Sequence, residues 1–104
     1  MRVELHPDAR AELRSAALWY DEQRDGLGAE FLNAVASALD RISRAPESSP
    51  PWTGLHHRTP AIRRHTMHRF PYMVAFEQHQ EQVLVLAIAH AKRRPLYWLT
   101  RAEP

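Results

Sequence analysis

The sequence contains no cysteine, which excludes disulfide bonds, thiolate nucleophiles and cysteine-ligated zinc. It also lacks an apolar run of the roughly 18–20 residues needed to cross a bilayer, and its first residues do not form the apolar core of a signal peptide. Glycine-rich phosphate loops, nucleophile elbows and dinucleotide fingerprints are absent too. We therefore expect a cytoplasmic protein without a membrane partner that neither hydrolyses nucleotides nor transfers acyl groups.

The seven histidines do not show the spacing of a metal site. His65 and His68 are three apart on a predicted strand, so they should point to opposite faces, and His56 and His57 fall in a predicted loop. No pair of histidines lies four apart within a predicted helix. We expect neither a metal nor another cofactor.

The composition is that of an ordinary globular protein, with 44% hydrophobic and 25% charged residues. A chain of 104 residues predicts a single domain spanning residues 1–104. Its charge is unevenly distributed, because residues 1–57 carry a net charge of −3 and residues 58–104 a net charge of +5. The basic half favours a polyanionic partner, such as RNA, DNA or an acidic peptide, although a solvated charged face would show the same pattern.

Hydrophobic periodicity predicts a strand and two helices in the first half of the chain. Apolar and polar residues alternate over Arg2–His6, as in a half-buried strand, and helical spacing then extends over Pro7–Gln23. Gly26 and Gly28 supply a tight reversal, and a second amphipathic helix ends near Arg44. A connection this short predicts an antiparallel helical hairpin.

The segment Ala45–Ala61 carries several prolines and cannot sustain a helix or a central strand. A loop of this length is either functional or disordered. Trp52 within it either anchors a partner or folds back onto the core, and the second alternative is favoured.

The second half of the chain changes to strand periodicity. Ile62–Phe70 reads as a basic strand, Tyr72–Phe76 pairs with it as a hairpin, and the unbroken apolar run Val83–Ala89 predicts a central strand covered on both faces. Pro95–Arg101 is long enough for one short helical turn. The predicted class is α+β in the order β-α-α-β-β-β, with the helical hairpin packed on one face of a small antiparallel sheet.

Several short motifs in this order resemble the RelE/ParE superfamily of toxins from type II toxin–antitoxin systems, and the ParE-like branch most. The resemblance spans nearly the whole chain. The motifs are Ala11-Glu12-Leu13, Ala17-Leu18-Trp19-Tyr20, Gly26-Leu27-Gly28, Glu30-Phe31-Leu32, Pro46-Glu47-Ser48, Ile62-Arg63-Arg64, Arg69-Phe70-Pro71-Tyr72, His90-Ala91, Arg93, Pro95 and Tyr97-Trp98.

The resemblance implies a cognate antitoxin that covers the toxin surface, a toxin–antitoxin hetero-oligomer, and growth arrest when the antitoxin is lost. ParE-like members poison DNA gyrase, whereas RelE-like members cleave messenger RNA on the ribosome, and the fold does not choose between the two. The leading hypothesis is a gyrase inhibitor that is not an enzyme. A third alternative is an inactive toxin homologue that acts as a binding module or co-repressor.

The RelE-like alternative, a metal-independent endoribonuclease, needs a phosphate-binding cation and groups that transfer protons. Arg64 and Arg93 are the candidates for phosphate, and His90 and Tyr97 for proton transfer. A histidine in the position of His90 is more often a hydrogen-bonded structural residue than a proton shuttle, and Tyr97 is equally readable as a residue that closes the sheet edge.

Two departures from the RelE-like pattern weaken the nuclease alternative. Met73 stands where RelE-like enzymes carry an arginine, and their two strand-two lysines correspond to Arg64 and Thr66. Losing one positioned phosphate donor lowers the rate by a factor of roughly 10²–10³. The set of cations is therefore thinner than a RelE-like nuclease requires.

A binding surface is the alternative use of the C-terminal cations. Their concentration on consecutive predicted strands favours one face shared by the target or the antitoxin, although scattered surface charge would look the same in sequence. The residues predicted for this face are Arg63, Arg64, Arg69, Lys92, Arg93, Arg94 and Trp98.

Overall fold

The computed structural model describes residues 1–102 and has the element order predicted from the sequence. The elements are β1 (Arg2–Leu5), α1 (Pro7–Gln23), α2 (Leu27–Arg44), β2 (Ile62–Thr66), β3 (Tyr72–His79) and β4 (Gln82–His90), with short 3-10 turns at Pro46–Ser48 and Leu99–Arg101. None of the helices in residues 1–102 is long and apolar enough to span a membrane. The predicted α+β class is confirmed.

The four strands form one sheet in the order β1-β4-β3-β2. β2 pairs antiparallel with β3, and β3 pairs antiparallel with β4, but β1 lies parallel to β4, so the sheet is mixed rather than wholly antiparallel. The reason is an extra reversal in the loop: Pro51 bridges antiparallel to Arg63, so the chain runs back along β2 before entering it. That reversal gives β1 and β4 the same direction.

The helical hairpin is held by a tight turn and a close helix contact. The Asp21 carboxylate accepts hydrogen bonds from the backbone N–H groups of Gly26 and Gly28, at 3.0 and 3.1 Å. Gly26 has a φ of 89°, which favours glycine, whereas Gly28 already lies in α2. A Cβ atom at Gly28 would lie 2.5 Å from the Ala17 carbonyl oxygen, so this glycine permits close packing rather than the reversal predicted for it.

Apolar cores lie on both faces of the sheet. The helices cover one face, where Phe31 and Val35 of α2 pack with residues of β3 and β4. The opposite core contains Ile62, Leu86 and Trp98, and it is covered by the loop and the C-terminal segment. β4 contributes to both cores, which confirms the prediction of a central strand.

The loop agrees with its prediction, whereas β2 is shorter than predicted. The predicted loop is present, and Trp52 folds back to only 7% exposure, with its ring 4.8 Å from that of Trp98. β2 ends at Thr66 instead of Phe70, because Met67 and Phe70 turn into the core beneath the helices. His68 consequently lies outside the strand to which it was assigned.

Candidate functional site

The predicted cationic residues do not form one face. Arg63 and Arg64 are neighbours on β2 and point to opposite sides of the sheet. Arg63 donates hydrogen bonds to Gln78 and to the Ser49 carbonyl oxygen, at 3.2 and 2.9 Å. The prediction that Arg63 belongs to a single cationic face is therefore wrong, because its side chain forms hydrogen bonds that hold the loop.

Arg69 is also separated from the remaining cations. It forms an ion pair with Glu30 of α2, which Arg24 contacts as well, at 3.3 Å. Hydrogen bonds from Arg69 and then Arg24 lower the pKa of the Glu30 carboxyl. These ion pairs connect the turn after β2 to the helices. Neither of them involves another of the predicted cations. Lys92 is exposed, and its backbone N–H donates to His90 Nδ1 at 3.0 Å.

The remaining candidates meet in a cleft of about 360 Å³ on the sheet face opposite the helices. We call it the arginine cleft. Its polar side chains are Thr53, Arg64, His90, Arg93, Arg94 and Tyr97, and its apolar wall includes Trp52, Met73 and Leu96. None of the lining residues within 1–102 is acidic. The four residues proposed for nuclease chemistry are thus brought together.

The guanidinium groups of the arginine cleft have few protein partners. Arg64 Nη1 lies 3.5 Å from Thr53 Oγ1, while Arg64 Nε is buried and has no hydrogen-bond partner among the described residues. The Arg93 guanidinium lies over the Tyr97 ring, 3.9 Å from its centroid. Such stacking orients the guanidinium plane and leaves its N–H edge available.

Tyr97 is held by a carboxylate that the sequence did not single out. Its hydroxyl donates to Glu12 Oε2 at 2.6 Å, and Arg101 contacts both oxygens of the same carboxylate at 3.1 Å. The Ile88 backbone N–H donates to Glu12 Oε1 at 3.0 Å. Burial, and then the hydrogen bond to Glu12, raise the pKa of Tyr97. The hydroxyl is therefore committed to a structural contact.

Neither Glu12 nor Arg101 was a candidate, since each is separated in sequence from its partners. The signals in the sequence are that Glu12 adjoins the apolar stripe of α1 between Ala9 and Leu13 and that it lies in the motif Ala11-Glu12-Leu13. Such a position is also typical of a solvated carboxylate near a helix N-terminus.

A second depression, the α1–β4 groove, adjoins the arginine cleft. It has a volume of about 540 Å³ and is lined by Ala11, Glu12, Ser15, Ala16, Trp19, Tyr20, Tyr72, Ile88, His90 and Arg93. Trp19 is 55% exposed at this groove. His90 and Arg93 line both depressions, so an apolar groove continues into a cationic cleft.

Two of the predicted site residues, His90 and Trp98, pack against other side chains of the fold. The His90 ring packs edge-on against Tyr72, with centroids 5.1 Å apart. Trp98 is only 1% exposed, so it supports the arginine cleft from the core and is not part of the surface. In residues 1–102 no group of three or more histidine, aspartate or glutamate residues is placed to hold a metal ion.

Similarity to known proteins agrees with this architecture. Residues 3–95 match the family described as ParE toxin of type II toxin-antitoxin system, parDE. A solved structure described as the chromosomal ParDE TA system from P. aeruginosa superposes with a TM-score of 0.63 and 16% sequence identity, covering 88% of this chain and 97% of that chain. No curated protein matches the chain in sequence. Because the family match extends over most of the chain, the protein belongs to the ParE toxin family of type II toxin–antitoxin systems.

Proposed function

We propose that this toxin arrests growth by binding DNA gyrase and that a cognate antitoxin neutralises it by covering the same surface. The observation that carries the proposal is the continuity of the α1–β4 groove with the arginine cleft through His90 and Arg93. An exposed apolar groove with a cationic end suits a macromolecular partner better than a small substrate. Membership of the ParE toxin family supports DNA gyrase as the proposed target.

The antitoxin part of the proposal follows from the chemistry of this surface. Trp19 offers a large, half-exposed aromatic face, and aromatic residues of this kind are frequent hot spots of protein interfaces. Arg93 and Arg94 line the arginine cleft, and guanidinium groups suit a carboxylate of a bound segment. The partner expected is an acidic segment with apolar side chains that occupy the groove.

Two assays test this function. Induced expression of the chain alone should arrest growth, and co-expression with the product of the adjacent reading frame should restore it. Purified toxin should block supercoiling by gyrase in a concentration-dependent manner. Normal growth with abundant, folded toxin and unimpaired supercoiling would contradict the proposal.

The runner-up, a ribosome-dependent endoribonuclease, is favoured by the assembly of Arg64, His90, Arg93 and Tyr97 around one cleft. The contact between Tyr97 and Glu12 counts against it, because a general acid must be able to reach the leaving oxygen. Cleavage of messenger RNA on the ribosome that is lost in both Tyr97→Phe and Arg93→Ala proteins would establish it. Harmless expression together with tight binding to the antitoxin would instead identify an inactive homologue that serves as a binding module or co-repressor.

A further inference from the structure

His65 lies half-buried on the side of β2 that faces the helices. It is paired with Val74 of β3, which belongs to the core beneath the helices, and residues directly opposite each other in antiparallel strands share one side of the sheet. An imidazole in this position has lost part of its hydration. Loss of hydration disfavours the charged form of the ring.

Two depressions between α2 and β2, of about 290 and 180 Å³, meet at this ring. Arg41 of α2, His65 and His68 line both of them, and we call the two together the α2–β2 depression. Its other charged lining residues are Arg64 and Arg69, and none of its lining residues within 1–102 is acidic. A proton on His65 would therefore add a positive charge where several are already present.

The carboxylates of the neighbouring elements are engaged outside the depression. Glu30 and Asp40 of α2 form ion pairs with arginines. Glu47 in the loop accepts a hydrogen bond from Gln78 at 2.7 Å. On β2 itself, Arg63 points to the same side as His65 and contributes a further cation. The elements around the ring therefore supply positive charge without a carboxylate beside it.

The C-terminal end of α2 has carbonyl groups that could attract a cation, but their hydrogen bonds are made within the chain. The Arg41 carbonyl oxygen accepts the Ala45 N–H at 3.1 Å, and the Asp40 carbonyl oxygen accepts the Ser43 hydroxyl at 2.8 Å. The Ser43 carbonyl oxygen accepts the Met1 ammonium group at 3.2 Å. This helix end thus already has a cation of its own, and it does not offset a charge on His65.

We propose that His65, surrounded by the cations of the α2–β2 depression, makes this fold acid-sensitive: the native packing of α2 and β2 is stable while the ring is neutral, and proton uptake weakens it. Burial first, and then the charges of Arg41 and His68, lower the pKa of His65 below its ordinary value of 6.5. The unfolded chain therefore takes up this proton more readily than the native state. The stability that depends on the neutral ring is complete above pH 6.5 and is lost as the pH falls through the native pKa.

The first test follows urea denaturation of the full chain from about pH 7.5 to about pH 5, the range in which histidine titrates. His65→Gln keeps a polar side chain but cannot take up a proton. Below pH 6.5 the ratio of folded to unfolded wild-type protein should fall, relative to this variant, by up to about tenfold per pH unit, the limit for one proton. His57→Gln is the matched control, because it removes an exposed loop histidine, and it should behave as the wild type.

The second test observes the His65 ring directly in an NMR titration of the wild-type protein. The ring signals are assigned through bonds to the residue's own backbone amide, so the measurement does not depend on the folding of His65→Gln. The midpoint should lie below pH 6.5. Arg41→Gln should raise it towards 6.5, whereas Arg14→Gln, which removes the same charge from an exposed position on α1 outside the depression, should not.

The proposal involves neither gyrase nor the antitoxin, so its failure and that of the proposed function are separate results. Three outcomes would overturn it. The first is a midpoint for His65 at or above pH 6.5, which would mean that the fold accepts the charged ring. The second is an equal loss of stability below pH 6.5 in the wild type and in His65→Gln. The third is an equal midpoint in Arg41→Gln and Arg14→Gln, which would mean that the cations of the depression do not act on the ring.

Discussion

Glu12 is the residue on which the C-terminal segment depends. β1 pairs only with Gln82–Val85 of β4, and beyond that point Glu12 accepts the Ile88 N–H while Arg101 donates to the Leu86 carbonyl oxygen. One carboxylate and one guanidinium thus complete the strand edge that β1 leaves uncovered. The same pair fixes the segment that forms one wall of the arginine cleft.

Glu12→Gln should lower the free energy of unfolding by about 2–4 kcal/mol, because it leaves the largely buried Arg101 with only the exposed Asp8 carboxylate, 3.7 Å away, as a counter-charge. Urea denaturation measures the change. Glu4→Gln removes an exposed ion pair with Arg2 and should cost about 1 kcal/mol or less. Equal stability of the two variants would refute the role of Glu12.

The tyrosines give a prediction for alkaline pH. Burial raises the pKa values of Tyr20 and Tyr72 above the ordinary value of 10.0, and burial with the Glu12 hydrogen bond does the same for Tyr97. The native state therefore retains protons that the unfolded chain loses. The stability from this effect is complete below pH 10 and falls as the pH rises towards the native pKa values.

Phenolate absorbance should accordingly appear at a higher pH in the native protein than in the same protein unfolded in urea. Tyr97→Phe should remove the component that titrates last, because Tyr97 has the largest shift. Coincident titration curves for native and unfolded protein would contradict the burial of these hydroxyl groups.

At the scale of elements, the helical hairpin depends on the contact between α1 and α2 at Gly28. Gly28→Ala should destabilise the protein by about 1–3 kcal/mol, since the added methyl group meets the Ala17 carbonyl oxygen and the Asp21 side chain. Asn33→Ala at an exposed position of α2 is the control and should be neutral or slightly stabilising. Thermal unfolding measures both. A Gly28→Ala protein as stable as the wild type would mean that the helices separate at little cost.

At the scale of the whole molecule, folding removes part of the charge asymmetry between the two halves of the chain. Arg69 and Arg101 from the basic half are neutralised by Glu30 and Glu12 of the acidic half. The arginine cleft retains its positive charge. Part of the positive charge of the C-terminal half is therefore paired within the fold, and the arginine cleft keeps a cluster of cations.

The α1–β4 groove, as the proposed binding surface for the antitoxin, gives a prediction about antitoxin binding. Trp19→Ser should weaken the complex with the antitoxin by about 2 kcal/mol or more, roughly thirtyfold, because Trp19 lines the α1–β4 groove. Leu18→Ser is the matched control, since Leu18 is 67% exposed, adjoins Trp19 and does not line the groove. Calorimetric titration measures both affinities, and equal losses would show that the antitoxin does not recognise the groove.

The elements and their order could be predicted from the sequence, because periodicity and proline placement are local signals. α1 spans Pro7–Gln23 as predicted, and the apolar run in β4 indicated a strand with two covered faces. The sequence also predicted candidate site residues in the C-terminal half, and Arg64, His90, Arg93 and Tyr97 do line one cleft.

Which of the candidate cations share a surface depends on how the whole chain packs. Arg63 and Arg64 adjoin in sequence but point to opposite sides of the sheet, and the parallel direction of β1 follows from a reversal within the loop. The contact between Glu12 and Tyr97 joins residues 85 apart, and no local pattern encodes such a distance. The site depends on long-range contacts because hydrogen bonds and burial are properties of the packed chain, whereas periodicity is a property of each segment.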